Sequence, residues 1–212
     1  ETGAKCTDIP IYHGNYRFEI EDIKEAINPN TKSIFLIDPI NPLGSTYPKE
    51  EKKAICDLAE DHNFWIIDDI TYRDFTPNHV LAADILPEKT ITGYSVSKNC
   101  GLAGLRVGSL VGPKDFISEV RGTMVSDLGI NVVGQRASIA ALETKKEWLP
   151  GMLETARKNQ EIIKKAVDKV EGATLPVYPS AASMMVIDIS EHKASPQAVQ
   201  DKLLYENDIF VR

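Results

Sequence analysis

The 212-residue sequence is poor in cysteine: Cys6, Cys56 and Cys100 are its only three, and no CxxC pair occurs. An odd, widely spaced set excludes a disulfide framework and a cysteine-based zinc site, and it fits a reducing compartment. No apolar run approaches the ~18 residues that a membrane-spanning helix needs. The opening ETGAKCTDIP lacks the apolar core of a secretory leader. A cytoplasmic location, with no membrane partner, is therefore expected. Positive charge is also scarce. Lys and Arg total 24 against 31 Asp and Glu, for a net charge of -7 and a pI near 5.2. That balance excludes nucleic acid as the main partner, because a phosphate backbone demands a basic face. His13, His62, His79 and His192 stand in no ligand spacing, so no metal is expected. Internal repeats and low-complexity tracts are absent.

What remains is an ordinary globular composition, 42% hydrophobic and 26% charged. The mixed-sign runs KEEKK at 49–53 and ETKKE at 143–147 read as solvated helix faces. Residues 3–9 read as a short strand. Ile20, Ile23 and Ile27 recur at helical spacing after an acidic start. Residues 33–38 form a continuous apolar run that ends in Asp38, the pattern of a parallel strand buried on both faces. Pro48 suits a helix start, and Ala54, Ile55, Leu58 and Ala59 give that helix an apolar face. Residues 64–69 repeat the strand pattern and end in Asp68 and Asp69. Strands are also expected at 90–95 and 107–111. Strand, helix, strand, connection, strand is the rhythm of an α/β fold with a wound, mostly parallel sheet. Beyond Ile117 the character changes, with helices expected over 131–142 and 148–170, a strand at 183–189, a helix from Ser195-Pro196 and a strand opening at 208–212. This predicts a larger domain over 1–145 and part of a smaller α+β domain over 146–212.

The most informative stretch is TGYSVSKNCGLAGLRVGSLVG, residues 92–112. Lys98 sits there among small hydroxylic and glycine residues, with Arg106 eight positions on. A lysine amine forms Schiff bases with carbonyls once deprotonated, and Ser95, Ser97 and Arg106 are donors suited to a phosphate. An aldehyde and a phosphate held together are the two handles of pyridoxal 5'-phosphate (PLP). The plainer alternative is a surface lysine beside a glycine-rich turn. Two further polar groups weigh against it. Asn41 and Asp69 also follow predicted strands at the carboxyl end, where wound sheets collect ligands. Cys100 reads as a packed thiol, and Tyr47, Tyr94 and Tyr178 as packing residues.

With these residues in view, the sequence resembles the class I/II aminotransferases of the aspartate aminotransferase type, which are fold-type I PLP enzymes. Asn41-Pro42-Leu43-Gly44 matches the family's Asn-Pro-x-Gly turn, Asp69 to Tyr72 its Asp-x-x-Tyr motif, and Ser95 to Lys98 its Ser-x-x-Lys motif. Arg106 matches the phosphate-binding arginine. The resemblance implies that Lys98 forms the internal aldimine, that Asp69 meets the pyridine nitrogen, and that Asn41 and Tyr72 meet the phenolic oxygen. It gives Ser95 and Arg106 to the phosphate. Ser97 is open between phosphate donor and turn cap, and Asp68 reads as structural. Amino acid and 2-oxo acid substrates and a homodimer are likewise implied.

Departures from the family pattern accompany the match. The segment that carries the family's stacking aromatic and phosphate-cradling helix is not found upstream of Lys98, and Arg212 stands too early to be the substrate-carboxylate arginine. An internal fragment is expected on this reading, one that binds PLP poorly by itself. The cofactor motifs do not separate transamination from C–S lyase or decarboxylase chemistry on the same fold. A non-catalytic chain or an aminotransferase-like ligand-sensing domain also stays open, although nothing resembles a DNA-binding helix-turn-helix.

Overall fold

Helix α1 (Ile20–Ala26) leads into strand β1 (Ser33–Ile37), helix α2 (Lys49–Asp61) and strand β2 (Trp65–Asp69). After 3-10 turns at Arg73–Phe75, Ala82–Asp84 and Pro87–Lys89 come β3 (Thr90–Ser95) and, past a further turn, β4 (Gly108–Val111). The computed structural model describes residues 3–12, 14–124 and 129–211; His13 and Arg212, both weighed above, lie outside them. The sheet order is β1-β2-β3-β4, with two parallel junctions and a final antiparallel one. The expected α/β fold with a mostly parallel sheet is the fold observed. Four helices follow: α3 (Lys114–Thr123), α4 (Val132–Glu143), α5 (Lys145–Val167) and α6 (Pro196–Asn207). Asn131 and Ser195 cap α4 and α6 by accepting the backbone N–H groups of Gly134 and Ala198. Among the described residues no helix is long and apolar enough to cross a membrane.

The strand registers sort side chains by face. Leu36, Asp68 and Thr92 form one row across three strands, and Ile37, Asp69 and Gly93 form the next. Successive residues of a strand point to opposite faces. The first row is buried and turns toward α2, whose Ile55, Cys56, Leu58 and Ala59 join Leu36, Phe64 and Ile66 in one core. The second row faces the other way. There Trp65 packs on Phe116 of α3, with ring centroids 4.8 Å apart.

One member of the inner face of α2 is a charge. Lys52 is fully buried, which corrects the reading of KEEKK as a wholly solvated face. Its Nζ lies 2.6 Å from Asp38 Oδ2 and 3.5 Å from Asp68 Oδ1. His79 Nε2 stands 2.9 Å from the same Asp38 oxygen. Asp38 Oδ1 accepts the Thr46 hydroxyl at 2.8 Å and the Tyr47 N–H at 3.3 Å, while Asp68 Oδ2 accepts the Ala82 N–H at 3.2 Å. A single lysine cannot neutralise two carboxylates equally. Burial opposes charge on Asp38, yet His79 and the nearer lysine contact hold it below the usual carboxylate range. Burial pushes Asp68 above that range. The contribution of Asp38 is therefore present above its unfolded pKa and lost as pH falls through its folded one; that of Asp68 is lost as pH rises through its raised value.

Four expectations differ from the structure. Phe35 is 54% exposed, so β1 is buried on one face only, because no helix among the described residues lies over it. Residues 3–9 join no ladder. Residues 183–189 contribute a single bridge, Asp188 with Thr174. The chain after α6 folds back on that helix, where Ile209 N–H donates to Leu203 O at 2.8 Å and Gln200 donates to Val211 O at 2.6 Å. A strand exists only beside a partner, and apolar alternation does not supply one. Helix α3, over residues where no element is expected from the sequence, covers part of the second face with Phe116, Ile117 and Val120.

Replacing Lys52 with Met should cost about 3–5 kcal/mol at neutral pH, the usual consequence of stranding a buried carboxylate. Urea unfolding measures it. A loss below about 1 kcal/mol would mean that Asp38 and Asp68 do not depend on the lysine, and adding Asp68→Ala to Lys52→Met should return part of the loss.

Candidate active site

Strands β1, β2 and β3 end at one edge of the sheet, and the polar residues singled out by motif follow those ends. After β1 the chain makes a tight turn, with Gly44 N–H donating to Ile40 O at 2.7 Å and Ile40 N–H donating to Ser45 O at 2.8 Å. Gly44 has φ +77°, and a Cβ there would stand 2.0 Å from Ser180 Oγ. Both the left-handed backbone and the close approach exclude a side chain. The contact seats residues 180–182 on the turn, with Ala181 N–H donating to Gly44 O at 2.7 Å. Asn41 projects from this turn, exposed, and its Nδ2 lies 3.4 Å from Tyr72 Oη.

Tyr72 is buried, and its ring packs with Phe75, Ala182 and Met152. Burial raises its phenol pKa, and the nearby Asp69 anion raises it further. Asp69 closes β2. One of its oxygens accepts the Thr71 N–H at 3.0 Å and the Thr71 hydroxyl at 2.6 Å, which fixes the carboxylate to its own turn. Its second oxygen has no partner among the described residues. Asp69, Thr71, Gly93 and Tyr94 lie along a cleft of about 550 Å³, with Phe35 on one wall and Ile117 and Val120 of α3 on the other.

Strand β3 ends at Ser95, and Lys98 rides on the turn that follows. Ser95 Oγ accepts the Ser97 N–H at 3.1 Å and lies 3.4 Å from Val107 O, to which it donates. Gly101 N–H to Lys98 O and Leu102 N–H to Val96 O close the turn at 3.4 and 3.3 Å. Val96 and Asn99 are buried on either side of Lys98, whose own side chain is exposed. Its ammonium makes no hydrogen bond or ion pair among the described residues. Arg106 occupies the left-handed region at φ 56° and ψ 49°. Its guanidinium folds onto its own turn, donating to Ala103 O at 2.9 Å, and shares no hydrogen bond with Ser95 or Ser97.

The structure thus gathers Asn41, Asp69 and Tyr72 into one group and Ser95, Ser97 and Lys98 into a second at the next strand end. Arg106 shares no hydrogen bond with either group among the described residues. Asp68, one residue from Asp69, belongs to the buried lysine network on the opposite face. Sequence reasoning passed over Asp74 and Lys145, an ion pair between residues 71 positions apart. It assigned Tyr94 to packing alone, whereas the hydroxyl of that residue donates to Asp74 Oδ2 at 3.0 Å.

The sequence pattern of the family described as aminotransferase class I and II matches residues 2–212. The chain belongs to that family. It is 28% identical over 215 residues to the arginine–pyruvate transaminase AruH of Pseudomonas aeruginosa, covering 99% of this chain and 54% of that protein. It is 30% identical over 216 residues to the aspartate aminotransferase of Pyrococcus horikoshii, covering 98% and 55%. Among solved structures, the aspartate aminotransferase of Thermus thermophilus with maleate superposes with a TM-score of 0.77 at 25% identity, over 90% of this chain and 51% of that one. The chain spans about half the length of the curated relatives it matches. Aminotransferases of this family are PLP-dependent.

Because the Asp69 anion opposes ionisation of Tyr72, the Asp69→Asn variant should titrate Tyr72 at a lower pH than the parent. Carbon-labelled tyrosine NMR across the alkaline range reads this directly. An unchanged or raised Tyr72 midpoint would show that the two groups do not face each other.

Proposed function

We propose that this chain carries the cofactor-binding part of a PLP-dependent aminotransferase that moves an amino group between an amino acid and a 2-oxo acid. One observation carries the reading: Lys98 offers an exposed amine with no partner among the described residues, next to the strand end where one Asp69 carboxylate oxygen likewise has none among them. The donor set fits the cofactor group by group. Lys98 is the amine for its aldehyde, and the free oxygen of Asp69 suits its pyridine nitrogen. Asn41 and Tyr72 pair at 3.4 Å and suit its phenolic oxygen. Ser95 and Ser97 would offer hydroxyls to a phosphate, and Arg106 would join them on releasing Ala103 O.

PLP, when bound, supplies an electron sink at the substrate's α-carbon. The residues of this chain do the rest. An Asp69 anion beside the ring nitrogen favours the protonated ring, because an adjacent negative charge stabilises a cation. Thr71 holds that anion in place through two hydrogen bonds. The Lys98 amine, with no competing partner among the described residues, is the group to take a proton from the α-carbon and return it. Asn41 and Tyr72 would orient the ring, and the apolar residues Phe35 and Ile117 that line the cleft beside Asp69 would offer it a flank. An α-amino acid as amino donor accords with relatives that are named for arginine and aspartate. We carry a homodimer and a division of the chain near residue 145 as parts of the same proposal.

Two measurements on the full-length protein test it. Borohydride reduction in the presence of PLP should fix the cofactor to the Lys98 peptide; fixation to a different lysine would sink the assignment. Asp69→Ala should weaken PLP binding about tenfold or more, as expected for loss of a charge-assisted hydrogen bond of about 1.5–3 kcal/mol. Asp68→Ala should leave PLP binding within about twofold once stability is matched, since Asp68 faces Lys52 and not the cleft. Equal losses from the two would mean the wrong carboxylate has been chosen.

A further inference from the structure

We propose that Asp74 is a positioning residue for Lys98, acting through Asn99, and that its ion pair with Lys145 ties helix α5 to the lysine-bearing turn. This role presupposes the reading of Lys98 given above. Asp74 lies two residues beyond Tyr72, in the 3-10 turn Arg73–Phe75, and is 8% exposed. It gathers three donors from three parts of the fold. Asn99 Nδ2, from the residue next to Lys98, donates to Asp74 Oδ2. The Tyr94 hydroxyl, from β3, donates to the same oxygen at 3.0 Å. Lys145 Nζ, from the first residue of α5, lies 2.5 Å from Asp74 Oδ1. Asn99 Nδ2 also reaches Tyr94 Oη at 2.5 Å, which closes a triangle, and Asn99 Oδ1 accepts the Cys100 N–H at 2.9 Å.

The charges agree with these roles. Burial opposes ionisation of Asp74, but the bonds from Lys145 and Asn99 hold its carboxyl below the usual range. Burial and the resulting anion push Tyr94 up, so its hydroxyl keeps the proton that it donates.

The turn that presents Lys98 has few other long-range ties. Ser97 N–H bonds back to Ser95 Oγ, Ser95 at the strand end reaches only as far as Val107 O, and the backbone bonds that close the turn are local, at 3.3 and 3.4 Å. Asn99, at 2% exposure, is the turn side chain whose hydrogen bonds reach a distant segment. Without Asp74, Asn99 Nδ2 keeps only the Tyr94 contact among the described residues, while Asn99 Oδ1 keeps its local bond from the Cys100 N–H, and the backbone on the C-terminal side of Lys98 loses its tie to the Arg73–Phe75 turn. Helix α5 grips the same segment a second time. Arg157 donates from Nη2 to Phe75 O at 3.0 Å and from Nη1 to Ser180 O at 2.6 Å. A shift of α5 is therefore transmitted to Asp74 at both points, and through Asn99 to Lys98.

The test is site-resolved labelling of the full-length protein with PLP and borohydride, read by mass spectrometry for each lysine and paired with thermal unfolding. Asp74→Ala should slow labelling of Lys98 about tenfold or more, the cost of a misplaced reacting group, while labelling of the other lysines stays unchanged. Asp74→Asn, which keeps an acceptor for Asn99, should fall between it and the parent. Lys145→Met should lower Lys98 labelling and Lys145→Arg restore it, a rescue that general destabilisation would not give. Should Asp74→Ala fail to fold, Asn99→Ala and Lys145→Met decide the matter by the same readout. Lys98 labelling within about twofold of the parent in these variants, at unchanged unfolding temperature, would overturn the role of Asp74 alone. A parent protein labelled at some lysine other than Lys98 would overturn both this role and the functional reading on which it rests.

Discussion

Lys52, buried between Asp38 and Asp68, is the contact on which the site geometry depends. A fully desolvated ammonium is tolerated only with carboxylates at hydrogen-bonding distance. Asp38 follows β1, Asp68 lies in β2, and Lys52 comes from the helix between them. The lysine meets both carboxylates only when the two strands hold this register and α2 crosses at this place. His79 adds the loop after β2 to the same knot. The strand ends so fixed are the ones that carry Asn41 and Asp69.

Alternation along β2 then divides two adjacent aspartates between two tasks. Asp68 turns toward α2 and the buried lysine. Asp69 turns to the opposite face, where its neighbours across the sheet are Ile37 and Gly93 and where the cleft lies. A one-residue slip of β2 would exchange them, placing the network carboxylate in the cleft and stranding the other beside Lys52. The ion network and the cleft thus constrain the same register from opposite faces.

The candidate site is held by segments far apart in the chain. Gly44 brings the Asn41 turn against residues 180–182, and Thr76 Oγ1 donates to Ala181 O at 2.7 Å. From α5, Arg157 and Gln160 both donate to Ser180 O, and Gln160 donates also to Ala182 O. In this packing the strand-end turns carry the polar groups, and the long helix α5 braces residues 75 and 180–182 beside them.

The sequence by itself determined the elements whose signals are local. The strands expected at 33–38, 64–69, 90–95 and 107–111 formed at 33–37, 65–69, 90–95 and 108–111, because short segments rich in β-branched, aromatic and apolar residues between turn signals favour extended backbone. Ser195-Pro196 opened α6 and Asn131 capped α4, because capping is settled within a few residues. The spacings of Asp69 to Tyr72 and of Ser95 to Lys98 were legible for the same reason, each lying within a single turn. The tertiary structure alone decided whether an apolar segment found a partner. Residues 3–9 and 183–189 carry strand-like patterns and form no strand, since pairing depends on a free edge elsewhere. It also decided which charges are buried. Lys52 sits in a run of mixed charges that reads as solvated, and only α2 packing on the sheet removes it from water. Asp74 and Lys145, 71 residues apart, carry no local mark at all. Their pairing follows from where α5 comes to rest, which is set by long-range packing and not by any spacing in the chain.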